Sequence, residues 1–369
     1  MVKEPPFIPG LELSRLFYQE VVKPILDDNF PDLRYASALI GTGSEVLGFD
    51  TEMSTDHHWG PRLQLFLGEE DLAVLAPIIR LTLAHTLPTT FRGYSTHFSP
   101  PDPNDGGTQL LVQIKDGPVN HRVEIFSLRA FCLAYLGIEP DGELSPVDWL
   151  TIPGQKLRAI TAGKIFRDDG GELTHLQQRL AYYPHDVWLV MLAAGWSRVG
   201  QEEPFMGRTG LVGDELGSRL IAGRLVHDLM NLCFLMERQY PPYSKWFGTA
   251  FQALSCADRL TPLFHAVFDA RSWPEREEPL VQAYEIVARK FNDLGITQPL
   301  PALVSSFHGR PFRVIHGDDF ATTIKAQIVN PELKRIVAMT DIGAVEQFSN
   351  STNVLSDARI CKRLRAVYP

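Results

Sequence analysis

The amino-acid sequence predicts an α+β protein in which a small mixed-sheet domain precedes a larger, mainly helical one. Three observations predict it. Short apolar runs bounded by turn residues are confined to the part before residue 127. After that point the text changes to long segments with helical spacing, interrupted at Pro140, Pro146, Pro153, Pro184 and Pro204. The length, 369 residues, also exceeds the usual size of one hydrophobic core. The boundary falls near residues 127 to 150, giving a first domain over 1–135 and a helical domain over 136–369.

Taken in order, Leu11, Leu13, Leu16, Phe17, Val21, Val22, Ile25 and Leu26 recur at helical spacing and predict an amphipathic first helix. Tyr35 to Ile40 is a short apolar run that breaks into Gly41-Thr-Gly-Ser44, a strand running into a glycine turn. Arg62 to Leu67 has strand character. The acidic start Glu69, Glu70, Asp71 then suits the positive end of a following helix. Gln109–Ile114 and Val119–Ile125 read as two further strands around the turn Lys115-Asp-Gly-Pro118, which completes a four-strand mixed sheet. Beyond the boundary the strongest helix runs from Asp214 to Gln239 and stops at Tyr240-Pro-Pro-Tyr, with further helices over 245–256, 277–293 and 354–367. Lys164 to Gly171 reads as a turn with an acidic tip.

Composition narrows the chemistry. No apolar run approaches the roughly 18 to 20 residues that span a bilayer, so a membrane protein is not expected. The start MVKEPPFIPG lacks the basic and apolar regions of a signal peptide, and Cys132, Cys233, Cys256 and Cys361 lie far apart. Both point to a reduced, cytoplasmic protein with buried thiols. A net charge of −9 without a basic block argues against nucleic acid as partner and for a small molecule.

The informative stretch runs from Gly43 to Trp59. A Gly-Ser turn lets backbone N–H groups and a hydroxyl approach a phosphate, because glycine has no Cβ to block it; Ser44 is the expected donor. Ser54, Asp56 and His58 follow at the mouth of the next strand. Glu124 stands between Val123 and Ile125, so strand alternation puts it on the face opposite those two. Asp50 and Glu52 offer a rival acidic pair, for which a solvated loop is the preferred reading. Asp56, His57 and His58 also allow a zinc cluster, although no CxxC or HExxH partner accompanies them.

In its order and placement this stretch resembles the signature of the nucleotidyltransferase superfamily. By that resemblance Gly43 and Ser44 match the family's Gly-Ser, Ser54 its polar residue, Asp56 the first metal-binding carboxylate and Glu124 the third. His58 falls where the second carboxylate is expected, and imidazole suits transition metals better than Mg²⁺. A changed metal, a weakened site and lost activity are all open at that position. The resemblance implies Mg²⁺ or Mn²⁺ held by Asp56, His58 and Glu124, with an NTP as substrate. Its reaction is the transfer of a nucleoside monophosphate to a small hydroxyl- or amine-bearing acceptor. The alternative is a catalytically inactive nucleotide-binding or regulatory protein of the same fold. A weaker third reading is a hydrolase with a His-Asp metal centre.

In the helical part, Arg224, Asp228, Asn231 and Arg238 form one polar stripe at increments of +4, +3 and +7, either an ion-pair ladder between helices or a substrate wall. The text Arg238-Gln-Tyr-Pro-Pro-Tyr-Ser-Lys-Trp246, with Gln201-Glu-Glu203, Gly207-Arg-x-Gly and Gly213-Asp-Glu-Leu-Gly-Ser218, looks like an uncharacterised family known as a domain of unknown function. Kanamycin- and lincosamide-type nucleotidyltransferases are more distant relatives. In that setting Lys245 offers a cation to a nucleotide phosphate, and Tyr240 or Tyr243 a ring to a base or sugar; packing and snorkelling are the competing roles. Glu202, Glu203 and Asp214 are candidate general bases, with a proline turn and a helix cap as the plainer explanations for the last two. His316 and Asp318 read as a surface turn.

Overall fold

The computed structural model describes residues 6–368. The chain is α+β and divides into two compact units. One comprises residues up to Glu143 together with Lys156–Ala181; the other comprises Leu144–Gln155 and the residues from Tyr182 onward. The first unit thus reaches past residue 135, and a strand explains why.

Its strands are β1 (Tyr35–Leu39), β2 (Arg62–Leu67), a small β3–β4 hairpin (Thr90–Phe91 and Tyr94–Ser95), β5 (Arg122–Phe126) and β6 (Lys164–Asp168). The four-stranded sheet has the order β5-β2-β1-β6, with β2 and β5 parallel and β1 antiparallel to both its neighbours. Lys164–Asp168 is therefore an edge strand, and only the Asp-Asp-Gly-Gly text at its end supplies the turn expected of the whole segment. Gln109–Ile114, in contrast, makes a single bridge, Leu111 to Phe98, and is not a strand of the sheet. Several of its backbone groups pair with the neighbouring 97–99 stretch, as in Val112 N–H to the His97 carbonyl at 2.9 Å and Ser99 N–H to the Leu110 carbonyl at 2.8 Å. Apolar composition makes a segment sticky, but the sheet positions beside β2 and β1 are filled by β5 and β6.

The first helix spans α1 (Gly10–Phe17) and α2 (Lys23–Asn29) and is continuous through one π turn, Tyr18–Val22. Pro24 has no N–H to donate one turn back, and the widened turn before it absorbs that loss. With α3 (Glu69–Thr86) this helix covers one face of the sheet, where Leu63, Leu65, Leu67, Val123 and Ile125 bury against Leu13, Phe17, Leu26, Ile79 and Leu83. The other face carries Arg62, Gln64 and Phe66 beside Arg122, Glu124 and Phe126, registered pair by pair. The two phenylalanines pack with Phe131 of α4 (Leu128–Tyr135), which leaves the arginine end of this face polar.

After α5 (Pro146–Thr151), α6 (Gly154–Thr161) and α7 (Glu172–Arg179), the second unit is built on α8 (His185–Leu211) and α9 (Glu215–Met236), followed by α10 (Phe247–Phe251), α11 (Ala257–Asp269), α12 (Trp273–Asp293) and α13 (Gly317–Lys325). Asp214 caps α9 by accepting the Gly217 N–H at 2.8 Å. Pro204 does not break α8, which runs through it. Burial against α9, α12 and α13 holds the helix together where its own ladder loses a bond. No helix among the described residues is long and apolar enough to cross a membrane. The four cysteines are buried, and none is in a disulfide.

Candidate functional site

The end of β1 breaks into Gly41-Thr-Gly-Ser-Glu-Val46, and two devices hold the backbone there. Gln64 of β2 pairs with Ile40 in both directions, donating its amide N–H to the Ile40 carbonyl and accepting the Ile40 N–H, each at 3.0 Å. Arg62 is buried and forked onto Glu45 Oε1 through Nε at 2.8 Å and Nη2 at 2.6 Å, and Nη2 also donates to the Thr42 carbonyl at 2.6 Å. Gly43 is required by this brace. Its φ is +139°, and a Cβ would stand 2.5 Å from Arg62 Nη2 and from Glu45 Oε2.

The brace fixes the Ile40 and Thr42 carbonyls, and the amides of the turn are left unused. Among the described residues, the N–H groups of Thr42, Gly43, Ser44, Glu45 and Val46 donate to no acceptor, whereas Leu47 and Gly48 on the far side bond back to Ser44 and Glu45. Ser44 is half-buried. Consecutive undonated amides in a glycine turn are available to an anion, because each N–H carries a partial positive charge and needs an acceptor.

Beside the turn, on the same sheet face, Arg122 is the register partner of Arg62. Arg122 Nη1 lies 2.7 Å from His58 Nδ1, its Nη2 lies 3.8 Å from Glu124 Oε1, and its guanidinium stands 5.7 Å from the Phe98 ring centre. Guanidinium only donates, so His58 Nδ1 accepts and the ring proton belongs on Nε2. His58 adopts a left-handed backbone, φ +53°, with its own N–H held by the Gln109 carbonyl at 2.8 Å. Burial, reinforced by the charges of Arg122, His57 and Arg62, lowers the His58 pKa. Burial and the nearby Arg62 likewise lower that of Arg122, against the pull of Glu124 and Glu45.

The residues expected from sequence are placed unequally. Gly43, Ser44, His58 and Glu124 share this region, and alternation puts Glu124 opposite the buried Val123 and Ile125. Ser54 is committed elsewhere, its hydroxyl accepting the Thr51 N–H at 3.1 Å in a capping box. Asp56 ends the 3-10 turn Glu52–Asp56, is exposed, and pairs with His57 Nδ1 at 2.9 Å. Asp50 is structural: one oxygen accepts both the Gly10 N–H at 2.6 Å and the Trp59 indole N–H at 2.9 Å. In the second unit, Tyr243 precedes the 3-10 turn Ser244–Trp246, and the exposed Lys245 ammonium lies 5.0 Å from the Trp246 ring centre.

Asp56, His58 and Glu124 do not fit a divalent ion as they stand. Among the described residues no three His, Cys, Asp or Glu side chains are grouped so as to hold a metal. Two of the expected ligands touch one guanidinium instead. Residues 149–247 match a family described as a domain of unknown function, DUF4037. Among solved structures the chain is similar to a nucleotidyltransferase-like protein from Exiguobacterium sibiricum 255-15, at 10% identity over 86% of this chain and 89% of that one, with a TM-score of 0.32. No curated protein matches the chain. The family match covers the Tyr240–Trp246 text and lies outside the Thr42–Glu124 region.

Sequence reasoning missed Glu45, Arg62, Gln64 and Arg122. A signal for them was present: β2 reads Arg-Leu-Gln-Leu-Phe and β5 reads Arg-Val-Glu-Ile-Phe, the same polar alternation on two strands. A 290 Å³ cavity at the other end of β1, lined by Arg34, Asp168 and Asp169 among others, is a different place. Its carboxylates are engaged locally, Asp168 with Thr174 and Asp169 with the Tyr35 N–H and Arg167.

In the second unit the candidate bases are structural. Glu203 is buried in α8 and accepts the Ile315 N–H at 2.6 Å and the Gly317 N–H at 3.1 Å, anchoring the start of α13. Burial pushes its carboxyl up to about 7 against the effect of those amides. Arg224 pairs with Glu202 at 2.6 Å and Asp228 with Arg198 at 3.1 Å, so the stripe on α9 ties it to α8.

Proposed function

We propose that the first unit binds the phosphates of a nucleoside triphosphate at the Thr42–Val46 turn, as a nucleotide-binding protein of the nucleotidyltransferase-like kind. The observation that carries this reading is the run of five undonated amides braced from behind by the buried Arg62–Glu45 pair. The brace fixes the Thr42 carbonyl, which limits the rearrangement the turn needs to meet an anion. Ser44 adds a hydroxyl donor, and Arg122 puts a guanidinium on the same face.

Transfer of a nucleoside monophosphate to a small hydroxyl- or amine-bearing acceptor is the second reading. The half-exposed Glu124 carboxylate favours it, since it stands on the same face and is available to take a proton from an attacking group.

The test is calorimetric titration of ATP, CTP, GTP and UTP, with Mg²⁺ or Mn²⁺ present, into the wild-type chain and into Gly43→Ala. Binding of at least one triphosphate is expected, weakened about tenfold or more by the added Cβ. If none of the four binds, the nucleotide reading fails. Pyrophosphate release on adding an acceptor would extend the reading to transfer.

A further inference from the structure

We infer that Arg122 supplies the positive charge of this site, so that the triphosphate is held by a guanidinium, an imidazole N–H and backbone amides and needs no divalent ion. The inference rests on the nucleotide reading above and goes beyond it, because it replaces the metal that the sequence pattern implies with a side chain.

Four features of the geometry point this way. First, the guanidinium contacts His58 and Glu124, two of the three groups expected to ligate a metal. Second, the lone pair that His58 would give a metal through Nδ1 is already spent on Arg122 Nη1 at 2.7 Å. The other ring nitrogen then carries a proton and offers a donor, which suits a phosphate oxygen and not a cation. Third, Mg²⁺ requires a near-octahedral set of oxygens, and the carboxylates present are poorly placed to start one. Glu124 faces a guanidinium, while Asp56 is exposed and turned to His57. Arg62, the register partner of Arg122, is closed onto Glu45, which leaves Arg122 as the guanidinium of this face with donors to spare.

Fourth, Arg122 has capacity to spare. Among the described residues its hydrogen bonds all leave from Nη1, to His58 Nδ1 and the His58 carbonyl, while Nε and Nη2 donate to nothing within hydrogen-bond distance. Its 3.8 Å separation from Glu124 is an ion pair without a hydrogen bond. A guanidinium anchored by one nitrogen, with a planar N–H edge left open, matches two oxygens of a phosphate in a fork. With the undonated amides of Thr42–Val46 on the same unit, these donors face one carboxylate, Glu124, which a phosphate would displace from the guanidinium.

The experiment compares the triphosphate that binds best under two conditions, with excess Mg²⁺ and with excess EDTA, using the full wild-type chain. Affinities agreeing within about threefold are expected, since the side-chain cation does not depend on the buffer. Arg122→Gln is expected to weaken binding in EDTA about tenfold or more, and Arg122→Lys to weaken it less, because charge is kept and the fork is lost. Far-ultraviolet circular dichroism and a thermal melt establish that each variant is folded, and the wild-type comparison stands without them. Binding that falls more than about tenfold in EDTA overturns the inference and leaves the nucleotide reading intact. Absence of binding to all four triphosphates in both conditions overturns the nucleotide reading itself, and this inference with it.

Discussion

The Thr42–Val46 turn of the first unit and the polar stripe along α9 of the helical unit are alike in sequence, each a set of polar residues interrupting apolar text, but they use their polarity differently. On α9 the charges pair across to α8, Arg224 with Glu202 and Asp228 Oδ1 with Arg198, while Asp228 Oδ2 is buried without a partner among the described residues. Asn231 donates back to the His227 carbonyl at 3.1 Å, and the Arg238 guanidinium lies 4.0 Å from the Trp188 ring centre. In the turn, the charged pair Arg62–Glu45 is buried and closed on itself, while the amides of Thr42–Val46 are left without acceptors. A polar cluster whose charges mostly pair with one another ties helices together. One whose brace is satisfied and whose donors are not is a place for a ligand.

The sharpest way to break this contrast is to remove the brace. Arg62→Ala leaves Glu45 buried and unpaired, with an expected loss of about 3–5 kcal/mol in urea unfolding. Replacing the pair together, Arg62→Met with Glu45→Leu, is expected to recover most of the stability while still losing triphosphate binding, since the turn no longer has its fork. Stability recovered with binding intact would remove the brace from the account.

Glu203 gives the next largest effect, and it concerns the helical unit. Its carboxyl is held near 7, above its ordinary 4.5, so between those values the folded chain keeps a proton that the unfolded chain has released. Stability therefore falls as pH rises from about 4.5 to 7 and levels above that, by at most about 3 kcal/mol from this group. Urea midpoints measured across that range in wild type and in Glu203→Gln should differ in slope; parallel curves would contradict the assignment. Arg224→Ala is expected to cost no more than about 1 kcal/mol, because its pair with Glu202 is largely exposed. A larger loss would mean that the stripe does more than tie two helices.

Periodicity and punctuation made much of the fold legible. The first helix, β1, β2, α3, the strand bearing Glu124 and the long α9 all follow from apolar spacing, acidic starts and prolines. What local text could not settle was partnership. Gln109–Ile114 has strand composition and no place in the sheet, while Lys164–Asp168 ends in turn residues and has one. Pro204 reads as a breaker, but packing on α8 outweighs the one bond it removes. The same limit applies to the site. Gly43 and Ser44 stand out because glycine announces an unusual backbone, but Arg62 and Arg122 resemble ordinary strand ends until register sets them side by side. His58 reads as a metal ligand from sequence; the interaction that engages it, a guanidinium arriving from a strand 64 residues further on, is not visible in any local spacing.

Amide hydrogen–deuterium exchange with and without a saturating triphosphate reads the backbone N–H groups of the turn themselves. Slowed exchange over residues 42–46 on addition of the nucleotide, with no change over residues 224–231 of α9, is the predicted result. Binding that leaves the turn unchanged, or that protects the α9 stripe in its place, would contradict the account.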